Sequence, residues 1–509
     1  MKKFFLNRTL LSIGLVGFLF VGCELENISP VTDPKVDRDQ EDIVAEQPTE
    51  EETQTPEDTS DTSNEFKVPA FNETKAFPSA EGYGRFTKGG RGGRTVYVTS
   101  LEDNSNPGTL RYALEVVSEP RTVLFKVSGI IELNSVIKIK DPYVTIAGQT
   151  APGSGITIKN AAIQVETHDI IIRNIRLRPG DSSTGEAPSD RDAFRLYKNR
   201  NCHNIMLDQV SFTWGIDENV DFSTGSNNVT IQKCIIAEGL SNSLHEEGEH
   251  SKGILMLNDL DNISIVNNLF AHNMNRNPLM SSNSRNIHVV NNLIYNWGHM
   301  APGYGTHCQI FKDEIPINDA VIFRNVYRKG ETSHDVPLYR TGNFYLVDGS
   351  SFFIDENYMD ENGTLHDLKD VSPSYNKYTD FYTFIMESAP SGWSSGYSEI
   401  HQADNVVDYV LSNAGARKPI LDAVDERIIE ESRNFTGNFV DSPSDRGGYP
   451  EQYQGTVPTD SDEDGIPDKW ENAKGLDPEV SGDAQENTLS PYYTNLEMYL
   501  NELAGDYTL

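Results

Sequence analysis

The sequence predicts an all-β solenoid, a parallel β-helix, finished by short C-terminal helical segments and a small EF-hand-like calcium loop. Three observations predict it. Short apolar segments recur at solenoid spacing, no amphipathic helices alternate with them, and an acidic twelve-residue loop stands near the C-terminus.

The recurring segments are Asp169–Arg173, Asn204–Asp208, Asn228–Gln232, Asn262–Val266 and Asn286–Val290. Each starts with Asp or Asn and runs on through alternating or continuous apolar residues; Ala320–Arg324 continues the series without the Asn. Their starts are 35, 24, 34, 24 and 34 residues apart, a solenoid period with insertions of about ten residues in alternate turns. Strands this short, joined by long polar corners, suit coils that stack at strand spacing, roughly 4.8 Å. The pairs Asn267/Asn268 and Asn291/Asn292 fall at equal phase, so their side chains are expected to form a hydrogen-bonded ladder up one corner. Apolar positions at helical spacing between about 398 and 431 predict helices packed on the solenoid, one of them Asp422–Glu431.

The twelve-residue loop is Asp460–Glu471. Asp460, Asp462, Asp464, Asp468 and Glu471 occupy positions 1, 3, 5, 9 and 12, and Gly465 supplies the sharp turn at position 6. Leu496, Met498, Tyr499, Leu500 and Leu503 read as a helical partner for it. One loop beside one helix suits a structural clip; a docking module is the alternative.

The 509-residue chain carries a formal net charge of −35, which excludes nucleic-acid binding through a basic surface. Met1-Lys2-Lys3 and the apolar run Leu10–Val21 read as a secretory signal over residues 1–22, too short for a membrane span. The run ends at Gly22-Cys23, a lipoprotein-like cleavage box, so Cys23 is the expected lipidation site; ordinary cleavage nearby is the alternative. This places the protein outside the cytoplasm, anchored by lipid at the outer membrane or cell surface. Residues 23–70 are acidic, Pro- and Thr-rich and poor in large apolar residues, a disordered linker. Residues 71–440 are assigned to the β-helix with its helices and residues 456–509 to the calcium-loop module. Cys202, Cys234 and Cys308 make no disulfide framework and are expected as small buried hydrophobes.

Counting back from each strand start brings a set of charges into phase. Asp192 lies twelve residues before Asn204, Asp217 and Glu218 eleven and ten before Asn228, Lys252 ten before Asn262, and Arg276 ten before Asn286. Stacked coils would line these up along one edge. Grouped carboxylates collect Ca²⁺, and an ammonium and a guanidinium grip uronate carboxylates.

At these residues the chain resembles the pectate lyases. Asp190-Arg-Asp192 is similar to the family's opening metal pair, Asp217 and Asp221 to its second acidic pair, His250-Ser-Lys252 to its His-x-Lys element, and Arg276-Asn-Pro278 to its Arg-x-Pro element. The glycine-rich stretch Phe77–Gly93, Gly108–Tyr112 and Ala147–Pro152 resemble the N-terminal coils of one bacterial and fungal branch. The resemblance implies a right-handed β-helix and a monomer that cuts an acidic plant or algal polysaccharide, polygalacturonate-like, by β-elimination to unsaturated uronate ends. It implies Ca²⁺ on Asp190, Asp192, Asp217 and Asp221, with Glu218 replacing or assisting Asp217. Lys252 would hold a substrate carboxylate and Arg276 would be the catalytic base. Ser281 stands where the family commonly has a second arginine. Two rivals remain: a non-catalytic glycan-binding β-helix, and a uronan hydrolase on the same fold.

Overall fold

The Asp or Asn that opens each repeat has a conformational reason. Asp169, Asn204, Asn228, Asn262 and Asn286 all sit at φ between 51° and 58°. That is the left-handed region, where Asn and Asp are enriched because their short polar side chains bond locally. Each bends the chain at the head of a strand, and their amides link one coil to the next: Asn204 Nδ2 donates to Asp169 (3.2 Å), Asn228 to Asn204 (3.2 Å) and Asn262 to Asn228 (3.1 Å).

The computed structural model describes residues 74–197, 202–281, 283–298, 317–334, 349–370 and 384–507. The expected signal segment, Cys23, the whole linker and Cys308 lie outside the described residues. Among those described, the strands form three sheets of ten, ten and six strands. The six repeat segments are successive neighbours in the first sheet, where Ile205 pairs with Ile170 on one side and Val229 on the other. A coil adds one strand to each sheet, as Phe194–Leu196 (third), His203–Asp208 (first) and Ser211–Thr213 (second) show. Pairing is parallel throughout except where Thr364–Asp367 turns back on Tyr358–Glu361. The architecture is therefore the expected parallel β-helix.

Inward-facing Ile, Val, Leu and Phe of all three sheets fill the solenoid, with Cys202 and Cys234 buried among them. At one corner the second Asn of each pair forms the ladder. Asn268 Nδ2 donates to Asn292 (3.0 Å), Asn292 to Asn325 (2.9 Å) and Asn325 to Asn357 (3.0 Å). The first of each pair, Asn267 and Asn291, takes the left-handed turn instead (φ 58° and 54°). Division of labour within the pair explains why two adjacent asparagines recur.

Two helices cover the second sheet: α1 (Ala403–Asn413) and α2 (Ala423–Asn434), the latter capped by Asp422, which accepts from the Asp425 N–H (3.1 Å). Val406, Val410, Ile428 and Ile429 pack there against Ile235, Leu269 and Leu293. The C-terminal segment adds α3 (Asp468–Lys474) and α4 (Asn495–Ala504). Its Ile466, Leu496 and Leu500 pack on Leu124 and Ala147 of the first coils. At the other end of the chain Phe77 and Ala80 lie on Ile171 and Met206. The glycine-rich stretch follows, and a Cβ at Gly90 would run into the Arg121 carbonyl, so only glycine permits that approach.

Candidate active site

The charged residues meet along the third sheet. Strand Glu218–Phe222 pairs with Phe194–Leu196 on one side and with Lys252–Met256 on the other. This register sets Glu218 beside Lys252 and Arg195 beside Asp221, and a further bridge sets Lys252 beside Asn275. Arg276, the next residue, is thereby delivered to Glu218, with which it makes an ion pair.

Lys252 Nζ lies 3.1 Å from Asp217 Oδ1 and 3.4 Å from Glu218 Oε1. Asp192 Oδ1 accepts from the Glu218 N–H (3.0 Å), and Asp192 Oδ2 from Arg195 (3.2 Å). Oxygens of Asp192, Asp217 and Glu218 lie within 4.8 Å of one another. Three hard oxygen donors at that spacing fit a Ca²⁺ ion. The electrostatics agree. Burial, then the neighbouring Asp221, and also Asp217, push the Asp192 carboxyl well above its usual range, against the pull of Arg195. Burial would also raise Asp217, but His250, Lys252 and Arg276 outweigh it and hold its carboxyl at about 2.

Asp192, Asp217, Lys252 and Arg276 therefore converge, and Glu218 joins them as the residue in contact with both cations. Asp221 is the strongest charged influence on Asp192. Asp190 stands apart: it is exposed, outside that carboxylate group, and offers its backbone carbonyl to Arg195 (2.6 Å). Ser281 donates its hydroxyl to Asn258 (2.6 Å). Two participants carried no sequence signal of their own. Arg195, three residues after Asp192, faces the same side of the sheet and also pairs with Glu186. His245 stacks on His250 at 3.4 Å, and both rings face Asp217.

The acidic loop forms a separate cluster. Asp460, Asp462 and Asp464 make one close group, and Asp464, Glu471 and Asp483 another. Asp468 is not in either; its carboxylate accepts from the Ser461 N–H and hydroxyl, both at 2.8 Å. Burial, helped by the surrounding carboxylates, pushes Asp464 up to about 7 and Glu471 up to about 8.

No family model matches the chain. Individual proteins do. The chain is 34% identical over 440 residues to a probable pectate lyase C of Aspergillus flavus, covering 84% of this chain and 94% of that one. It is 26% identical over 254 residues to a pectate lyase of Nicotiana tabacum, covering 46% of this chain and 60% of the other. A pectate lyase of Bacillus sp. N165, solved with trigalacturonate, aligns at 15% identity and a TM-score of 0.42, over 66% of this chain and 98% of that one. The extent and identity of the Aspergillus match decide the assignment: the chain belongs to the pectate lyase family.

Proposed function

We propose that the charged edge of the third sheet cuts a polygalacturonate-like uronan by calcium-dependent β-elimination. The observation that carries this reading is the gathering of Asp192, Asp217, Glu218, Lys252 and Arg276 along one edge of the third sheet. In the reaction the bond from carbon 5 to hydrogen breaks, a carbon 4–carbon 5 double bond forms, and the glycosidic oxygen leaves from carbon 4. Bound calcium would draw negative charge from the carboxylate next to carbon 5 and so acidify that proton.

The chain's own residues divide the remaining work. Lys252 grips the same carboxylate as a point charge. Arg276 takes the proton from carbon 5, the role its Arg-x-Pro setting implies. An arginine holds its proton to above about 12 in water, so the role needs a setting that disfavours its charged form. Lys252, a like charge on the same Glu218 carboxylate, acts in that direction, while the Glu218 carboxylate itself favours the charged guanidinium. The carboxylates of Asp192, Asp217, Glu218 and Asp221 outnumber Arg195, Lys252 and Arg276, with His245 and His250 also facing Asp217, so the formal local charge is slightly negative. A divalent cation reverses that sign and makes this edge attractive to a polyanion, although the whole chain is acidic.

Incubating the protein with polygalacturonate tests the reading. Ultraviolet absorbance of the unsaturated product is expected to rise with calcium present, stop on adding a chelator, and resume when calcium is restored. Cleavage to saturated ends without calcium would show a hydrolase, and binding without cleavage a glycan-binding protein; either would overturn the proposal.

A further inference from the structure

Five carboxylates at the C-terminal end converge on one place without the partners that buried carboxylates need. Oδ1 of Asp460, Oδ2 of Asp462, Oδ2 of Asp464, both oxygens of Glu471 and Oδ1 of Asp483 are buried and have no hydrogen-bond partner. Glu471 is 0% exposed and Asp464 6%, so water does not compensate them. Leaving such groups ionised and unpaired is costly, and a bound cation removes the cost. All the donors are carboxylate oxygens, a hard set in the number that Ca²⁺ accepts. Their two close groups share Asp464.

The surroundings say what such an ion would do. Asp460 accepts from the Tyr97 hydroxyl and pairs with Lys126 at 3.5 Å. The Asp464 carbonyl accepts from the Thr95 hydroxyl at 2.6 Å. Thr95 and Tyr97 lie in the strand Arg94–Val98, which opens the first sheet, and Lys126 follows its neighbour Arg121–Phe125. Asp483 belongs to the stretch after α3, where its own carbonyl accepts from Asn495 at the start of α4 (2.8 Å). One ion on this set would tie three pieces together: the acidic loop, the entry to α4, and the first two coils.

We propose that Asp460, Asp462, Asp464, Glu471 and Asp483 bind calcium as a clasp that fastens the C-terminal segment over the N-terminal end of the solenoid, with Asp483 a ligand and Asp468 only a brace for the loop. The clasp does not depend on the chemistry of the third sheet's edge. Asp468 is engaged by Ser461, whereas Asp483 has one carboxylate oxygen on the Asp477 N–H (3.2 Å) and the other turned to Asp464 and Glu471.

Terbium, a hard cation that fits calcium sites, is the probe. Trp470 adjoins Glu471 and Tyr97 touches Asp460, so excitation of these rings should sensitise bound terbium, and calcium should displace it. In the full-length protein, Asp483→Asn is expected to weaken this component at least about tenfold and Asp468→Asn to change it less than about threefold. Wild-type affinity in Asp483→Asn, or an equal loss in both variants, would overturn the ligand set. Limited proteolysis of the wild-type protein supplies a readout that needs no variant. Chelation is expected to open cleavage between residues 456 and 507, and calcium to close it. Identical digestion with and without calcium would overturn the clasp.

Discussion

Replacing Arg276 by lysine is expected to lower kcat by at least about a thousandfold, about 4 kcal/mol of transition-state stabilisation, while thermal unfolding stays close to wild type. The substitution separates two roles. Lysine keeps a positive charge beside Glu218, so the ion pair that orders this edge survives. It lacks the planar guanidinium whose neutral form would take the proton, and its shorter reach changes the approach to carbon 5. Only 18% of the Arg276 side chain is exposed, which limits how far a lysine could move to compensate. If Arg276 contributed charge alone, Arg276→Lys would retain activity within about tenfold of wild type, a loss of about 1.4 kcal/mol at most. Steady-state kinetics on polygalacturonate decides between them.

The second large effect concerns the ion pairs that hold α2 on the solenoid. Asp425 on α2 is fully buried against the equally buried Arg178; their atoms are 2.6 Å apart. Arg178 also pairs with Asp422 at 2.6 Å, Arg176 lies 3.2 Å from Asp422, and Ser211 donates to Asp425 at 2.6 Å. Burial would raise the Asp422 carboxyl, but Arg178 and Arg176 outweigh it and hold it well below the usual carboxylate range. Asp425→Ala leaves two buried guanidiniums on one carboxylate and is expected to cost about 3–5 kcal/mol in equilibrium urea unfolding. Replacing Arg178 by Met and Asp425 by Leu together should recover most of that, because apolar groups of similar size need no counter-charge and Arg176 keeps Asp422. A double variant as unstable as Asp425→Ala would show that the loss comes from packing of α2 and not from stranded charge.

Five of the ten strands of the first sheet were legible because each is announced twice, by a left-handed Asp or Asn and by apolar residues after it. Strands of the other two sheets were not, since pieces such as Phe194–Leu196 and Ser211–Thr213 are three residues long and carry no readable period. The helices were legible from spacing, and α2 begins where Asp422 can cap it. At the site, phase counting grouped Asp192, Asp217, Glu218, Lys252 and Arg276, which the fold does bring together, but could not choose between Asp217 and Glu218, which are neighbours in sequence. Parallel register shows that Glu218 lies opposite Lys252 and that Asn275, not Arg276, continues the row. Motif spacing alone did not show how two carboxylates are placed. Asp190 turns outward, and Asp468 is absorbed by Ser461, while Asp483, twelve residues beyond Glu471, enters the cluster through a turn that no loop motif contains. His245 was hidden for a similar reason: it reaches Asp217 from a polar loop.

Long-wavelength anomalous diffraction from crystals of the protein grown in calcium with a short oligogalacturonate tests the account most directly. The expected result is a calcium peak among the carboxylates of Asp192, Asp217 and Glu218, against a saccharide carboxylate that Lys252 also contacts, with Arg276 facing carbon 5. A saccharide ordered on the third sheet with no anomalous peak beside those carboxylates would contradict it.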